Sequence, residues 1–156
     1  MFRGCVEAIY IAPAAGKPLI ELDAVRAVRG RGLEGDRYFF QVGTYSNHPG
    51  SGRDVTLIEA EVLEALRRDL GIELAPAASR RNVVTRGVPL SHLVGHRFRV
   101  GEVLLEGTRL CEPCAHLERL TQTGVLNGLV HRGGLRTVVV EDGTVRRGDS
   151  VRPVNE

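Results

Sequence analysis

The sequence predicts a mainly β protein with some helix, folded as a closed or nearly closed mixed β-barrel with helices packed outside. Short segments rich in β-branched and apolar residues, about seven in number, are bounded by glycine, proline or aspartate, as strands usually are. These segments show no alternating βαβ rhythm, and the sequence has no strand-linked G-x-G-x-x-G and no Walker motif. The pattern therefore favours a barrel over a nucleotide-binding α/β fold.

Length and composition set the broad class of the protein. The chain has 156 residues, which suits a single domain spanning residues 1–156. Its net charge of +2 and its 4% of aromatic residues, with no tryptophan, argue against a nucleic-acid partner. No run approaches the roughly 18 apolar residues of a membrane helix, which argues against a membrane partner. Because three cysteines are too few for a secreted disulfide scaffold, we expect a cytoplasmic protein with reduced thiols.

The first third of the chain is expected to contain strands and loops. Residues 5–11 and 18–28 are extended by pattern. Residues 29–37 thread charged side chains among glycines, which lets a ligand approach the main chain closely. Residues 41–52 are polar and rich in glycine, so they predict a long loop.

One helix is expected over residues 54–71. Thr56 and Glu59 have the spacing of a capping box, apolar residues follow at helical spacing, and Gly71 suits the C-terminal stop. This helix is expected to cover one side of a sheet.

The remainder of the chain predicts more short strands separated by turns. The expected elements are a cation-rich strand at 80–87, a helical turn at 89–93, paired strands at 96–100 and 103–107, two short helical stretches within 113–129, a strand at 135–141, and a hairpin turn at 142–143 whose second strand runs over 144–151.

The candidate catalytic centre is the Cys-Glu-Pro-Cys segment. Pro113 suits the first position of a helix, so Cys114 would lie in a first turn, where free N–H groups favour a thiolate. Arg109 and His116 add positive or switchable charge nearby. A thiolate binds metals and attacks sulfur, so the sequence predicts a reactive thiol at Cys114, with Cys111 in support.

Other interpretations of the two cysteines stay open. Cysteine is often a small buried core residue, and this pair would then be inert. A zinc site could use Cys111 and Cys114 with His116 and His131, although the paired second half of a strong zinc motif is missing. A thioredoxin-like motif would need a βαβ unit, which the sequence does not predict.

Arginine dominates the cations, since lysine occurs only at Lys17. Arginine suits bidentate recognition of phosphate or carboxylate. A compositional bias toward arginine would explain many of these residues as solvated surface. It explains less well the cluster of Arg80, Arg81 and Asn82 before an apolar strand.

The order of these motifs resembles the MOSC domain, the C-terminal domain of molybdenum cofactor sulfurases. The motifs are GLEGDR at 32–37, RDVTLI at 53–58, RNVV at 81–84, TRLCEPC at 108–114 and GDSV at 148–151. Each is weak alone, whereas the ordered set covers nearly the whole chain.

The resemblance implies a β-barrel that binds the molybdenum cofactor (molybdopterin) or carries sulfur for metal–sulfur centres. Family members include sulfur-carrier domains and molybdoenzymes that reduce N-hydroxylated compounds with a partner electron donor. The chain would then be a molybdenum-dependent oxidoreductase or a component of sulfur transfer, with an electron-donor or sulfur-donor protein as partner. The residues implied are Cys114 as molybdenum ligand or persulfide carrier, Arg81, Asn82, Arg109 and Arg132 around the anionic cofactor, Asp36 and Arg37 in the loop over it, and His48 and His116 as proton or hydrogen-bond partners.

A non-catalytic small barrel that binds a protein or an anionic ligand is the alternative from another functional class. It predicts unreactive, buried cysteines and arginines scattered over the surface. A zinc-stabilised domain is a third interpretation.

Overall fold

The protein folds as a mainly β barrel, as the sequence predicts. In this computed structural model the described residues are 2–14, 16–37, 39, 54–111, 121, 124–129 and 131–154. The strands are β1 (Gly4–Ile11), β2 (Ile20–Leu22), β3 (Ala24–Val28), β4 (Gly32–Leu33), β5 (Val55–Glu59), β6 (Val83–Arg86), β7 (Arg97–Val100), β8 (Val103–Leu110), β9 (Leu135–Glu141), β10 (Gly143–Arg146) and β11 (Ser150–Pro153). The α-helices are α1 (Ala60–Leu70) and α2 (Val125–Gly128), and two 3-10 helices span Pro76–Ser79 and Leu90–Leu93.

Seven strands close the barrel. They follow the order β11, β7, β8, β9, β5, β6 and β1, and a further pairing between β1 and β11 joins the two ends. Strand β2 extends the sheet beside β1, while β10, β3 and β4 form a separate three-stranded sheet. The pair of β5 and β6 is parallel, whereas the other pairs around the barrel are antiparallel.

Two apolar clusters hold the fold together. The barrel interior contains alternate side chains of its strands, among them Ile9, Leu57, Phe98 and Leu135, each fully buried. The second cluster lies between the outer face of the sheet and the helices. It joins Ala8, Tyr10, Ile58 and Val84 of the strands to Leu63 and Leu66 of α1 and to Val125 and Leu129. Strands β5, β6 and β1 thus contribute side chains to both apolar clusters.

The expected helix at 54–71 is wrong over residues 54–59. Residues Val55–Glu59 form β5, and the helix begins only at Ala60. Glu59 is the N-cap without a side-chain capping bond, so the capping box is also wrong. The predicted stop is confirmed, because Gly71 adopts a left-handed conformation and its N–H donates to Arg67 O. Tertiary pairing of β5 with two neighbours outweighs the helical spacing of its apolar residues.

The β5–α1–β6 segment is a βαβ unit that the sequence interpretation missed. Leu57 pairs with Val83 in parallel register, and α1 crosses over the outer face between them. One crossover among many antiparallel neighbours gives no repeating signal in the sequence. The parallel pair of the predicted mixed barrel is therefore β5 and β6.

The predicted hairpin at Asp142 and Gly143 is also wrong. Strand β10 pairs with β3, where Gly143 lies opposite Ala27, and β11 pairs with β7 and β1. The Asp142 carboxylate accepts a hydrogen bond of 2.5 Å from the backbone N–H of Arg29, the residue that follows β3. The predicted paired strands at β7 and β8, the helical turn at Leu90–Leu93 and strand β9 are confirmed. Of the two short helical stretches expected within 113–129, α2 accounts for one, and the other lies outside the described residues.

Candidate functional site

The candidate site lies where β8 ends and β9 begins. The 24 residues from Cys111 to Gly134 join these two strands. The Cys111 N–H donates to Gly134 O at 2.7 Å, so the two ends of this connection meet. Cys111 is buried and is a free thiol. Cys114, His116 and His48 lie outside the described residues, and their predicted roles stay predictions.

Arg81 contacts both ends of this connection. Its Nε donates to Gly133 O at 2.7 Å, and its Nη2 donates to Cys111 O at 3.4 Å. The residue is 9% exposed, and among the described residues no carboxylate lies within ion-pair distance of it. A buried guanidinium without a counter-charge is costly, so this position favours an anion nearby.

Asn82 connects the scaffold beneath the site. Its Oδ1 accepts from Thr56 N at 3.0 Å and from Thr56 Oγ1 at 3.1 Å. Its Nδ2 donates to Tyr10 O at 3.1 Å and to Asp36 Oδ1 at 3.2 Å. Asn82 is fully buried, so these contacts give its side chain a supporting role in the fold.

Asp36 and Arg37 fasten the glycine-rich loop to the same scaffold. Asp36 is fully buried, and its Oδ1 also accepts from Ala12 N at 2.9 Å. The Arg37 N–H donates to Ala12 O at 2.6 Å, and its Nη1 lies 3.7 Å from Asp36 Oδ1. The loop is therefore pinned to the end of β1 and, through Asn82, to the start of β6.

A pair of arginines lies beside the start of the cysteine segment. Arg109 in β8 pairs in register with Arg136 in β9, whose other neighbour is Thr56 in β5. Arg109 is exposed, and the buried Nε of Arg136 has no hydrogen-bond partner in the described part of the chain. Like charges directly opposite on neighbouring strands repel each other, so an anion bound between them would be stabilising.

A small cleft of about 50 Å³ opens at the same end of the barrel. Its lining includes Glu59, Leu110, His131, Arg132 and Gly134. Burial raises the pKa of Glu59, and the like charge of Glu61 raises it further. The Leu90 N–H and His92 oppose this shift.

Two residues that line this cleft, His131 and Arg132, have distinctive conformations or contacts. His131 adopts a left-handed conformation with φ of 65°, which is uncommon for a residue other than glycine. The Arg132 Nε donates to Gly128 O at 2.7 Å, so its side chain lies against α2. Arg132 thus lies near the C-terminal end of the connection, and its Nε is already hydrogen-bonded to the protein.

A larger groove of about 510 Å³ lies elsewhere, between α1 and β6. Arg86 on its rim pairs with Glu7 and with Glu64, the latter at 2.8 Å. Because these charges neutralise one another, the groove has less electrostatic preference for an anion than the end of β8 and β9.

The structure brings most of the predicted residues into two groups. Cys111, Arg81, Arg109 and Arg132 surround the ends of the β8–β9 connection. Asp36, Arg37 and Asn82 form the buried layer that supports them.

Sequence reasoning missed Glu59, which it assigned to a capping box, and did not select Arg136 from among the arginines. For Glu59 the sequence carried no separate signal. Arg136 could have been selected had the pairing of β8 with β9 been known.

The residues where β8 ends and β9 begins fit an anionic cofactor. Arg109 and Arg136 supply adjacent cationic groups, and Arg81 supplies a buried charge without a carboxylate partner in the described ranges. Among those same residues, no group of three His, Cys, Asp or Glu side chains could hold a metal ion. The zinc interpretation depends on Cys114 and His116 and stays untested. No helix within the described ranges is both long and apolar enough to span a bilayer.

Solved structures share this fold. The YUAD protein from Bacillus subtilis superimposes with a TM-score of 0.80 at 19% identity, over 97% of this chain and 97% of that one. YiiM from Escherichia coli gives a TM-score of 0.69 at 22% identity, over 99% of this chain and 70% of that one. YiiM from Geobacillus stearothermophilus gives 0.68 at 15% identity, over 97% of this chain and 75% of that one. No curated protein matches the sequence.

The class defined by the fold and the site is a small mixed β-barrel with a cysteine segment and a cationic edge. The MOSC domain model matches residues 44–152, and the chain belongs to the MOSC domain family. This family is associated with the molybdenum cofactor.

Proposed function

We propose that this protein binds the molybdenum cofactor and uses the Cys114 thiolate to ligate molybdenum or to carry a persulfide. The observation that carries this proposal is the Arg109–Arg136 pair at the end of β8 and β9, directly before the cysteine segment. An anionic pterin phosphate would match the forked guanidinium groups of such a pair. Soft thiolate ligation suits both molybdenum and sulfane sulfur.

The residues of this chain would have two roles, binding the cofactor and supporting the binding surface. Arg109 and Arg136 would bind the anionic end of the cofactor, with Arg132 close by at the cleft. Asn82 and Asp36 would support this surface from beneath through their buried hydrogen bonds. The cofactor, when bound, would supply a redox-active metal that accepts a thiolate ligand.

The chemistry proposed for a cofactor-loaded protein is the reduction of N-hydroxylated compounds. The N–O bond is cleaved, two electrons come from a partner protein, two protons are taken up, and an amine-type nitrogen and water are released. Alternatively, a sulfur-donor protein transfers sulfane sulfur to Cys114 for delivery to metal–sulfur centres. Both reactions need a reduced thiol, in agreement with the cytoplasmic location expected from the sequence.

The test is the content of protein purified from cells supplied with molybdate. We expect molybdenum and pterin, or cyanide-labile sulfur, near one equivalent in the wild type. The Cys114→Ser variant should lose the metal or the sulfur, whereas Cys5→Ser should keep both. Unchanged content in Cys114→Ser would contradict the role of this thiol.

The arginine pair is tested separately. The double variant Arg109→Gln/Arg136→Gln should lose pterin by about tenfold or more, because two charge-assisted contacts are removed. Arg97→Gln is the matched control, since Arg97 is exposed and pairs with Glu106 at 3.0 Å. Equal pterin content in the double variant and the control would refute the cofactor site, whatever the result at Cys114.

A further inference from the structure

The groove between α1 and β6 has the size and the lining of a small-molecule site. Its volume of about 510 Å³ falls within the range of roughly 300–1,000 Å³ that such sites occupy. Its floor is apolar and closely packed, since Ala60, Leu63, Leu74 and Val84 are each at most 9% exposed. The groove shares no lining residue with the arginine pair or with the small cleft where β8 ends and β9 begins. It is therefore a separate place on the molecule.

One guanidinium joins two carboxylates on the rim of this groove. The Arg86 Nε donates to Glu7 Oε1 of β1, and its Nη1 and Nη2 donate to the two carboxylate oxygens of Glu64 in α1, at 3.3 and 2.8 Å. These hydrogen bonds hold the pKa of the Glu64 carboxyl below its usual range, so this group is ionised at neutral pH. Because one positive charge lies between two negative ones, the cluster keeps a net negative charge.

Glu7 is presented to the groove by an irregularity of β1. The pairing of β1 with β6 shifts between Val6 and Ala8, so Glu7 is the extra residue of a β-bulge and has no partner in β6. A bulge changes the direction of a side chain without ending the strand. The Glu7 Oε1 accepts from the guanidinium, whereas its Oε2 forms no hydrogen bond within the described residues. This second oxygen is therefore an available acceptor on the rim of the groove.

The other two charges along the groove balance each other. Arg67 and Glu73 form an ion pair, with Nε 3.3 Å from Oε1. The lining as a whole contains three carboxylates and two guanidinium groups, so one negative charge has no counter-charge in the lining. The whole chain carries +2, so the local charge is opposite in sign to that of the protein. An apolar floor beneath an excess of negative charge is complementary to a cation that carries an apolar body.

We propose that this groove binds a small organic monocation, with its ammonium group beside Glu7 and Glu64 and its apolar body on the floor. An anionic ligand would be repelled by the surplus carboxylate, and a neutral ligand would leave that carboxylate without a counter-charge. The inference goes beyond the proposed function and does not rest on it, because no residue of the groove belongs to the cofactor site or to the cysteine segment.

The experiment titrates the full-length, isotope-labelled protein with three ligands of similar shape and different charge, and follows its backbone amide signals by NMR at neutral pH. The ligands are phenethylammonium, phenethyl alcohol and hydrocinnamate. We expect saturable shifts of the Leu63, Leu74 and Val84 amides, which lie along the floor. Since one partly exposed ion pair contributes modestly, the cation should bind about threefold tighter than the alcohol and about tenfold tighter than the carboxylate.

The variant Glu7→Gln tests the charge. It removes the surplus carboxylate, so the cation should bind about threefold more weakly while the affinity for the alcohol stays unchanged. Glu106→Gln is the matched control, since the side chains of Glu7 and Glu106 are 38% and 39% exposed and each pairs with one arginine. An unchanged preference for the cation in Glu7→Gln overturns the inference.

The variant Ala75→Trp tests the location without touching the ion pairs. Ala75 is exposed on the rim, so an indole at this position fills the groove and leaves the core intact. The affinities for the cation and for the alcohol should both fall about tenfold or more, because the ligand and the indole compete for the same space. Ala24→Trp, at an exposed position of β3 in the separate sheet, should change neither affinity. Equal binding by the two tryptophan variants overturns the inference.

Two further outcomes of the titration also decide against it. The first is the absence of saturable binding of phenethylammonium up to about 20 mM. The second is a set of shifts centred on Leu110 and Gly134, which would place the ligand in the small cleft. None of these measurements depends on molybdenum, pterin or sulfane sulfur. Failure here therefore leaves the proposed function standing, and protein that contains no cofactor leaves this inference standing.

Discussion

Asn82 gives the sharpest prediction about the support beneath the site. In Asn82→Ala, four buried hydrogen bonds are lost, and Thr56 N, Tyr10 O and the Asp36 carboxylate each lose a partner. Net hydrogen bonds of about 1 kcal/mol, with added penalties for buried groups left unpaired, give a loss of about 3–5 kcal/mol. For a chain of this size, that corresponds to a melting temperature lower by roughly 6–20 °C.

The assay is urea denaturation followed by circular dichroism, with Asn82→Asp as the second variant. Aspartate keeps the Oδ1 acceptor but replaces the amide donors with an oxygen facing Tyr10 O and the Asp36 carboxylate. Its destabilisation should therefore grow from acidic to neutral pH, whereas that of the alanine variant stays nearly constant. An alanine variant that loses less than about 1 kcal/mol would refute this account of Asn82.

Two further predictions concern the end of the barrel beside the cysteine connection. Burial raises the folded-state pKa of Glu59, the like charge of Glu61 raises it further, and His92 opposes the rise. In a carboxyl NMR titration, Glu61→Gln should therefore lower the pKa of Glu59, and His92→Gln should raise it. The stability that Glu59 contributes is present below its unfolded-state pKa and is lost as pH rises through its folded-state pKa. In Glu59→Gln this pH-dependent loss of stability should disappear. Identical profiles of stability against pH for the wild type and the variant would contradict this prediction. Gly134→Ala should lower the free energy of unfolding by about 3 kcal/mol or more in thermal melts, because Gly134 has φ of 116° and a Cβ there would collide with Leu57 O. A loss below about 1 kcal/mol would contradict this close approach.

The sequence predicted the barrel because its strands carry their own local signals. Strands such as Arg97–Val100 and Leu135–Glu141 have β-formers bounded by turn residues, and the structure confirms them. The errors occur where long-range pairing decides. Val55–Glu59 carries apolar residues whose spacing fits a helix or a buried strand, and only its neighbours β6 and β9 select the strand.

The same limit applies to the Asp142–Gly143 turn. This dipeptide is a strong local hairpin signal, yet Gly143 pairs with Ala27, more than a hundred residues earlier in the chain. A local pattern cannot report such a partner. Asp142 links β9 to β10, and these two flanking strands belong to different sheets.

For the candidate site, residue chemistry was more informative than spacing. Arg81 and Asn82 were selected because compositional bias explains their cluster poorly and because they belong to the RNVV motif of the MOSC resemblance. The structure separates their roles: Asn82 joins the scaffold, and Arg81 reaches the cysteine connection. Arg136 and Glu59 gain significance only from the strand register and from the cleft, neither of which the sequence displays.

The closure of the barrel between β1 and β11 affects how this chain can fold during synthesis. Gly4 pairs with Val151, so the pairing of β1 with β11 can form only after residue 151 has left the ribosome. Contacts so distant in sequence slow folding, because the chain loses loop entropy before they form. We expect the β5–α1–β6 unit to form earlier, leaving the barrel open along one seam until β11 has been synthesised. During that interval the unpaired edges of β1 and β7 are the surfaces most open to association with other chains.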